Sequence, residues 1–172
     1  MSERSTEHAT FVIERDYSAS PARVFAAFAD PVQKAQWFVG PDEWIKFTHE
    51  ADFRVGGRER LSSGPAGGPM HKFDCCYQDI VPDQRIIYSY IMHMDDTPMS
   101  ISLTTIELKP HGGGTRLTFS EQGVFLDGTD WAGLREQGTQ GLLDKLGAAI
   151  GATGGAAGTA VVNRPMLEDR QA

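Results

Sequence analysis

The sequence predicts an α+β fold: a bent antiparallel sheet with one face covered by a single long C-terminal helix. Three observations predict it. Short alternating segments separated by turn residues fill the stretch from Trp44 to Gly123. Two proline-led helical repeats interrupt the chain directly after its first alternating segment. Helical spacing then returns in one long run from about Thr129 to Ile150.

The elements follow in order. "TFVIERDYSAS" alternates, with Phe11, Ile13, Arg15 and Tyr17 on one face, and reads as a strand. In "SPARVFAAFAD", Ser20 is placed to cap a helix and Pro21 to occupy its first turn. "DPVQKAQWF" repeats that signal with Asp30 and Pro31, and Gly40 and Pro41 end it. Six further strands are predicted: "EWIKFTHEAD", "GGRERLSS", "MHKFDCCYQDIV", "RIIYSYIMHM", "MSISLTTIEL" and "TRLTFSEQGV". Their short connections favour antiparallel pairing. The apolar arc of the last helix has only a sheet face to cover. Residues 10–150 therefore read as one domain. The glycine- and alanine-rich segment 151–172 has no core pattern and reads as a flexible tail.

A net charge of −7 over 172 residues argues against nucleic acid and anionic membrane as primary partners, because both reward a basic surface. No apolar run approaches the roughly 18 residues of a membrane span. A polar N-terminus without a signal region and two adjacent cysteines, Cys75 and Cys76, lead to an expectation of a cytoplasmic protein with reduced thiols. No metal and no cofactor are expected, since the histidines lack ligand spacing. "HMDD", His93 to Asp96, reads as solvated turn charge, and "GPAGGP" as a hairpin tip.

Two regions carry the candidate site. The strand from Arg85 sets Ile86, Tyr88, Tyr90, Met92 and Met94 on one face, which suits either core packing or an apolar ligand. Glu121 follows Leu117 and Phe119 in phase and so points inward at the expected end of its strand. It reads either as a buried carboxyl with a raised pKa or as an acceptor for backbone N–H groups at the turn into the helix. Arg15 could pair with Glu121 or anchor a ligand. On the last helix, Trp131, Leu134, Gly138, Leu142, Leu146 and Ala149 form one arc, with Gly133 and Gly147 expected toward water. Gly138 in mid-arc fits close helix–strand packing or space left for a ligand.

"ERDYSASPARVFAAFADPVQKAQWFVGP", "VGGRERL" and "FSEQGVFLDGTDWAGLREQGTQGLLDKLGAAI" together resemble the START-like, or SRPBCC, superfamily, and within it the domain shared with the activator of the heat-shock-protein-90 ATPase. The likeness spans about Phe11 to Ile150. It implies the helix-grip fold, a curved seven-stranded sheet gripping the C-terminal helix around an apolar cavity. It also implies one of three roles: hydrophobic ligand binding, cyclase- or hydrolase-type catalysis in the same cavity, or chaperone activation. No catalytic set is carried over, since the superfamily shares a fold more than a chemistry. The N-terminal domain of the eukaryotic activator has no counterpart in the ten or so residues before the first strand. The expected partner is an apolar small molecule, with a chaperone and a homodimer left open. The expected ligand residues are Arg15, Tyr88, Tyr90, Met92, Met94, Phe119, Glu121, Trp131, Leu134, Gly138 and Leu142.

Overall fold

The computed structural model describes residues 3–151. The tail assigned to 151–172 thus lies, apart from Gly151, outside the described residues. The element order is β1 (Thr6–Tyr17), α1 (Pro21–Ala29), α2 (Pro31–Trp37), β2 (Trp44–Ala51), β3 (Arg58–Pro65), β4 (His71–Val81), β5 (Arg85–Met94), β6 (Thr97–His111), β7 (Gly114–Leu126) and α3 (Ala132–Ala149). All seven strands form one antiparallel sheet in the order β1-β7-β6-β5-β4-β3-β2. The chain runs as a meander from β2 to β7, and β1 closes against β7.

Local chemistry explains the element ends. Ser20 Oγ accepts from the Arg23 N–H at 3.2 Å at the start of α1. Asp30 Oδ1 accepts from the N–H groups of Val32 at 2.8 Å and Gln33 at 3.2 Å at the start of α2. Each helix has proline in its first turn, where no N–H is missed. Gly112 and Gly113 form the two-residue turn between β6 and β7 with φ of 56° and 80°, a conformation that favours glycine. Asp95 Oδ1 accepts from the Met70 N–H at 2.8 Å, so the "HMDD" turn holds a neighbouring loop as well as facing water.

Sheet curvature comes from three register shifts, at Lys46/Thr48 in β2, Tyr77/Asp79 in β4 and beside Met99 in β6. Each adds one unpaired residue to a strand, which bends it and raises its twist. The concave face carries the core: Phe11, Ile13, Leu117, Phe119, Ile106, Ile86, Phe73 and Tyr77 are all buried there. Helix α3 packs against β1 and α2. Its C-terminal half seats Leu143 and Leu146 in the core, while Leu134 near its start is 49% exposed. The helix therefore stands away from the sheet at one end.

The helix departs from its expected form in three respects. Trp131 is the extended N-cap residue, with φ −147°, and does not belong to the helix; its side chain is 57% exposed. The inward stripe runs through Arg135, Thr139, Leu143 and Leu146, shifted from the arc expected for the large apolar residues. Gly147, expected to face water, is buried: a Cβ there would lie 3.1 Å from Tyr17 Cε1. Gly147 is thus the close-packing glycine of this helix. Gly138 has nothing within 4 Å of where its Cβ would sit.

Candidate ligand-binding site

Between the concave sheet face, the loop after α2 and the N-terminal half of α3 lies a cavity of about 470 Å³. Its walls are mainly apolar and aromatic. Tyr88, Tyr90 and Met92 from β5, Phe119 and Glu121 from β7, and Leu134, Gly138 and Leu142 from α3 all line it. Phe28, Trp37, Phe38, Trp44, Leu61 and Phe73 supply further apolar wall. Lys145 Nζ donates to the Gly40 carbonyl at 3.0 Å and so ties α3 to the loop after α2.

Three expected residues lie elsewhere. Met94 pairs with Thr97 at the end of its hairpin and does not reach the cavity. The β6 irregularity is the reason: Met92 pairs with Ser100 and His93 with Pro98, leaving Met99 as the extra residue. Met99 is buried and lines the cavity instead. Trp131 is excluded by its position before the helix. Arg15 is buried, but its Nε donates to Asp144 Oδ1 at 3.0 Å on the far part of α3. Its strand register sets Phe11, not Arg15, opposite Glu121.

Glu121 is 2% exposed and sits within β7 rather than at its end. It accepts from side chains and not from a helix-turn backbone: Tyr90 Oη donates to its Oε1 at 2.7 Å and Thr104 Oγ1 to its Oε2 at 3.3 Å. Its cationic neighbour is Arg135, whose Nη1 lies 3.6 Å from Oε1. Arg135 also donates to Tyr90 Oη at 2.7 Å, Ser100 Oγ at 2.8 Å and Asp130 Oδ2 at 2.5 Å. Burial raises the Glu121 carboxyl above its usual 4.5, with Arg135 and the Tyr90 hydrogen bond opposing. Because the folded value is raised, this group's favourable contribution is complete below about 4.5 and is lost as pH rises through the folded value. Glu121→Gln is therefore expected to gain stability relative to the parent as pH rises from 4.5 toward neutrality. Urea melts across that range check this, and a pH-independent difference would refute it.

A second buried polar cluster escaped sequence reasoning. Glu59 on β3 is 0% exposed. Its Oε2 accepts from Lys34 Nζ of α2 at 2.5 Å and from the Tyr77 hydroxyl of β4, and its Oε1 lies 2.7 Å from His49 Nε2 of β2. Burial alone would raise this carboxyl. The charge of Lys34, with hydrogen bonds from His49, Lys34 and Tyr77, outweighs burial and holds it at about 2. Lys34 also lines the cavity, with its Nζ 4.6 Å from the centre of the Phe38 ring. Glu59 was legible in principle, since it alternates in phase with the buried Leu61 and Ser63. For Arg135 and Lys34 the only signal was helical spacing to buried neighbours, and hydropathy argues the other way.

The remaining candidates stay structural. Cys75 is buried and Cys76 partly so; neither is bridged, and burial pushes the Cys75 thiol up to about 12. His71 and His93 fall on opposite faces, because His93 pairs with Lys72. Among the described residues no cluster of three or more His, Cys, Asp and Glu is placed to hold a metal ion. No described helix is long and apolar enough to cross a membrane.

A curved seven-stranded antiparallel sheet, two short helices after its first strand, and a C-terminal helix standing over an apolar cavity define a START-like domain of the helix-grip class. The family described as "Activator of Hsp90 ATPase homolog 1-like protein" matches residues 18–151, and the chain belongs to it. Among solved structures, a Rhizobium leguminosarum protein is 46% identical, with TM-score 0.82, covering 87% of this chain and 98% of its own. A Rhizobium loti protein is 52% identical, with TM-score 0.79, covering 84% of this chain and 99% of its own. An AHSA1-like protein from Aeromonas hydrophila shares the fold at 20% identity, with TM-score 0.62, covering 83% of this chain and 92% of its own. No curated protein matches the chain.

Proposed function

We propose that this domain binds one hydrophobic small molecule between the sheet and α3, without converting it. The observation that carries this reading is the cavity itself: about 470 Å³ with aromatic walls, edged by Gly138 and Gly141, whose absent side chains face open space. A volume of that size is in the usual range for small-molecule sites. A tightly packed core would have filled it. The glycines weaken the helix by roughly 1 kcal/mol each relative to alanine, and tertiary packing of its other half tolerates this.

A cyclase- or hydrolase-type reaction would call on Glu121, Tyr88 or Tyr90 as acid–base groups. Glu121 and Tyr90 bond to each other and to Arg135, which supports a structural role for both. The chaperone reading suggested by the family description needs an exposed patch. Ile91 and Ile101, paired across β5 and β6 and exposed on the convex face, are where such binding would be sought.

Fluorescence titration with the neutral dye N-phenylnaphthylamine is expected to saturate at one dye per chain. Gly138→Leu, which fills the space beside the cavity mouth, is expected to weaken the dye by about tenfold or more. Unsaturable binding, or binding indifferent to this substitution, would overturn the assignment.

A further inference from the structure

Resting on the ligand-binding reading above, we propose that the cavity selects an uncharged molecule with an apolar body and one hydrogen-bond-accepting oxygen, and that Tyr88 is the residue that recognises this oxygen. The charged groups on the wall already have partners. Lys34 is held by Glu59, and Lys145 by the Gly40 carbonyl and Asp42. Arg135 is engaged by Asp130, Tyr90, Ser100 and Glu121. An anionic ligand would have to break a buried pair to gain Lys34 or Arg135, or draw half-exposed Lys145 from the Gly40 carbonyl at the cavity rim, and a cationic one would meet no free carboxylate. Burying an unpaired charge is strongly unfavourable in either case.

Tyr88 differs from all of these. It is 8% exposed and lines the cavity, yet its hydroxyl has no hydrogen-bond partner among the described residues. This hydroxyl opens on the cavity and is not sealed in the core, where an unmade hydrogen bond would forfeit solvation without return, so it is free to meet a ligand. Neighbouring phenols show the contrast: Tyr77 donates to Glu59 and Tyr90 to Glu121. The Tyr88 ring is fixed on three sides. It meets Phe73 at 6.2 Å and Tyr77 at 6.0 Å edge-on, and Tyr90 at 6.0 Å at a tilt. A donor held by packing loses little freedom on binding. Burial and the nearby carboxylates keep this phenol neutral, so it offers a proton to an acceptor. The other neutral polar wall groups include Ser63, His71, Gln137 and Thr139: Thr139 Oγ1 donates to the Arg135 carbonyl at 2.9 Å, and Ser63 and His71 stand opposite each other on β3 and β4, with His71 against the Trp44 ring. Comparing a single-oxygen probe on the parent and on Tyr88→Phe therefore separates the Tyr88 hydroxyl from these groups.

The test uses fluorene, fluorenone and a fluorenone carboxylate, titrated into the parent chain and Tyr88→Phe. Phenylalanine keeps the ring contacts and removes only the unpartnered hydroxyl, so the variant is expected to melt at or above the parent. Fluorenone should bind the variant about five- to tenfold more weakly, one neutral hydrogen bond's worth, while fluorene is unchanged. The carboxylate should bind the parent at least about tenfold more weakly than fluorenone. The carbonyl stretch of bound fluorenone should lie at lower frequency in the parent than in the variant. If Tyr88→Phe leaves fluorenone affinity and carbonyl frequency unchanged, or if the carboxylate binds as well as the ketone, the proposal is overturned while the cavity reading stands. If neither the dye nor any of the three probes binds, the cavity reading falls and this proposal with it.

Discussion

Lys34→Ala is expected to destabilise the fold by about 3–5 kcal/mol, the loss typical of removing one partner from a buried ion pair. The reason lies in Glu59, which is 0% exposed and would keep only His49 and Tyr77 as partners. Replacing both charges with well-packed apolar residues, as in Lys34→Met with Glu59→Leu, should recover most of the loss, because two desolvation penalties disappear with the attraction. The pH dependence has a defined sign. The folded carboxyl lies at about 2, below its usual 4.5, so the pair's contribution is complete above about 4.5 and is lost as pH falls toward 2. The parent should lose stability in that acid window, and Glu59→Gln should lack this component. Urea melts of the three variants decide it. A Lys34→Ala variant as stable as the parent would show that this pair is not buried as described.

Gly147→Leu is expected to cost about 1–3 kcal/mol or more by overpacking. Its Cβ would stand 3.1 Å from Tyr17 Cε1. Tyr17 cannot swing aside, since it is buried and its hydroxyl donates to the Leu143 carbonyl at 2.7 Å. Gly138→Leu should behave in the opposite way. With nothing within 4 Å of its Cβ, the leucine enters open space, and the helix gains up to about 1 kcal/mol in propensity. Thermal melting of the two variants side by side tests the helix phase. Equal losses would refute the cavity at Gly138, and equal tolerance would refute the close contact at Gly147.

These two glycines show what the sequence made legible. Strand alternation, proline-led helices and turn residues located every element, because each signal is local and repeats within a few residues. Strand phase also placed Tyr88, Tyr90, Phe119 and Glu121 on the inner face. The phase of α3 was read less well. Trp131 and Leu134 are large and apolar, so hydropathy pulls them inward, yet the helix begins after Trp131 and stands off the sheet beside Leu134. Arg135 took the inward position because Glu121, Asp130, Tyr90 and Ser100 satisfy it. Such partners come from three separate parts of the chain, and no local pattern brings them together. The same holds for Lys34, Glu59, Tyr77 and His49, which meet from four elements. Met99 displaced Met94 from the cavity through a bulge that periodicity of two cannot express.

The most direct measurement is a crystal structure of the protein grown with fluorenone. One molecule is expected between the sheet and α3, its rings among Phe73, Phe119 and Leu142, and its oxygen within hydrogen-bond distance of Tyr88 Oη. A cavity closed by those side chains, with fluorenone absent or lodged on the convex face beside Ile91 and Ile101, would contradict it.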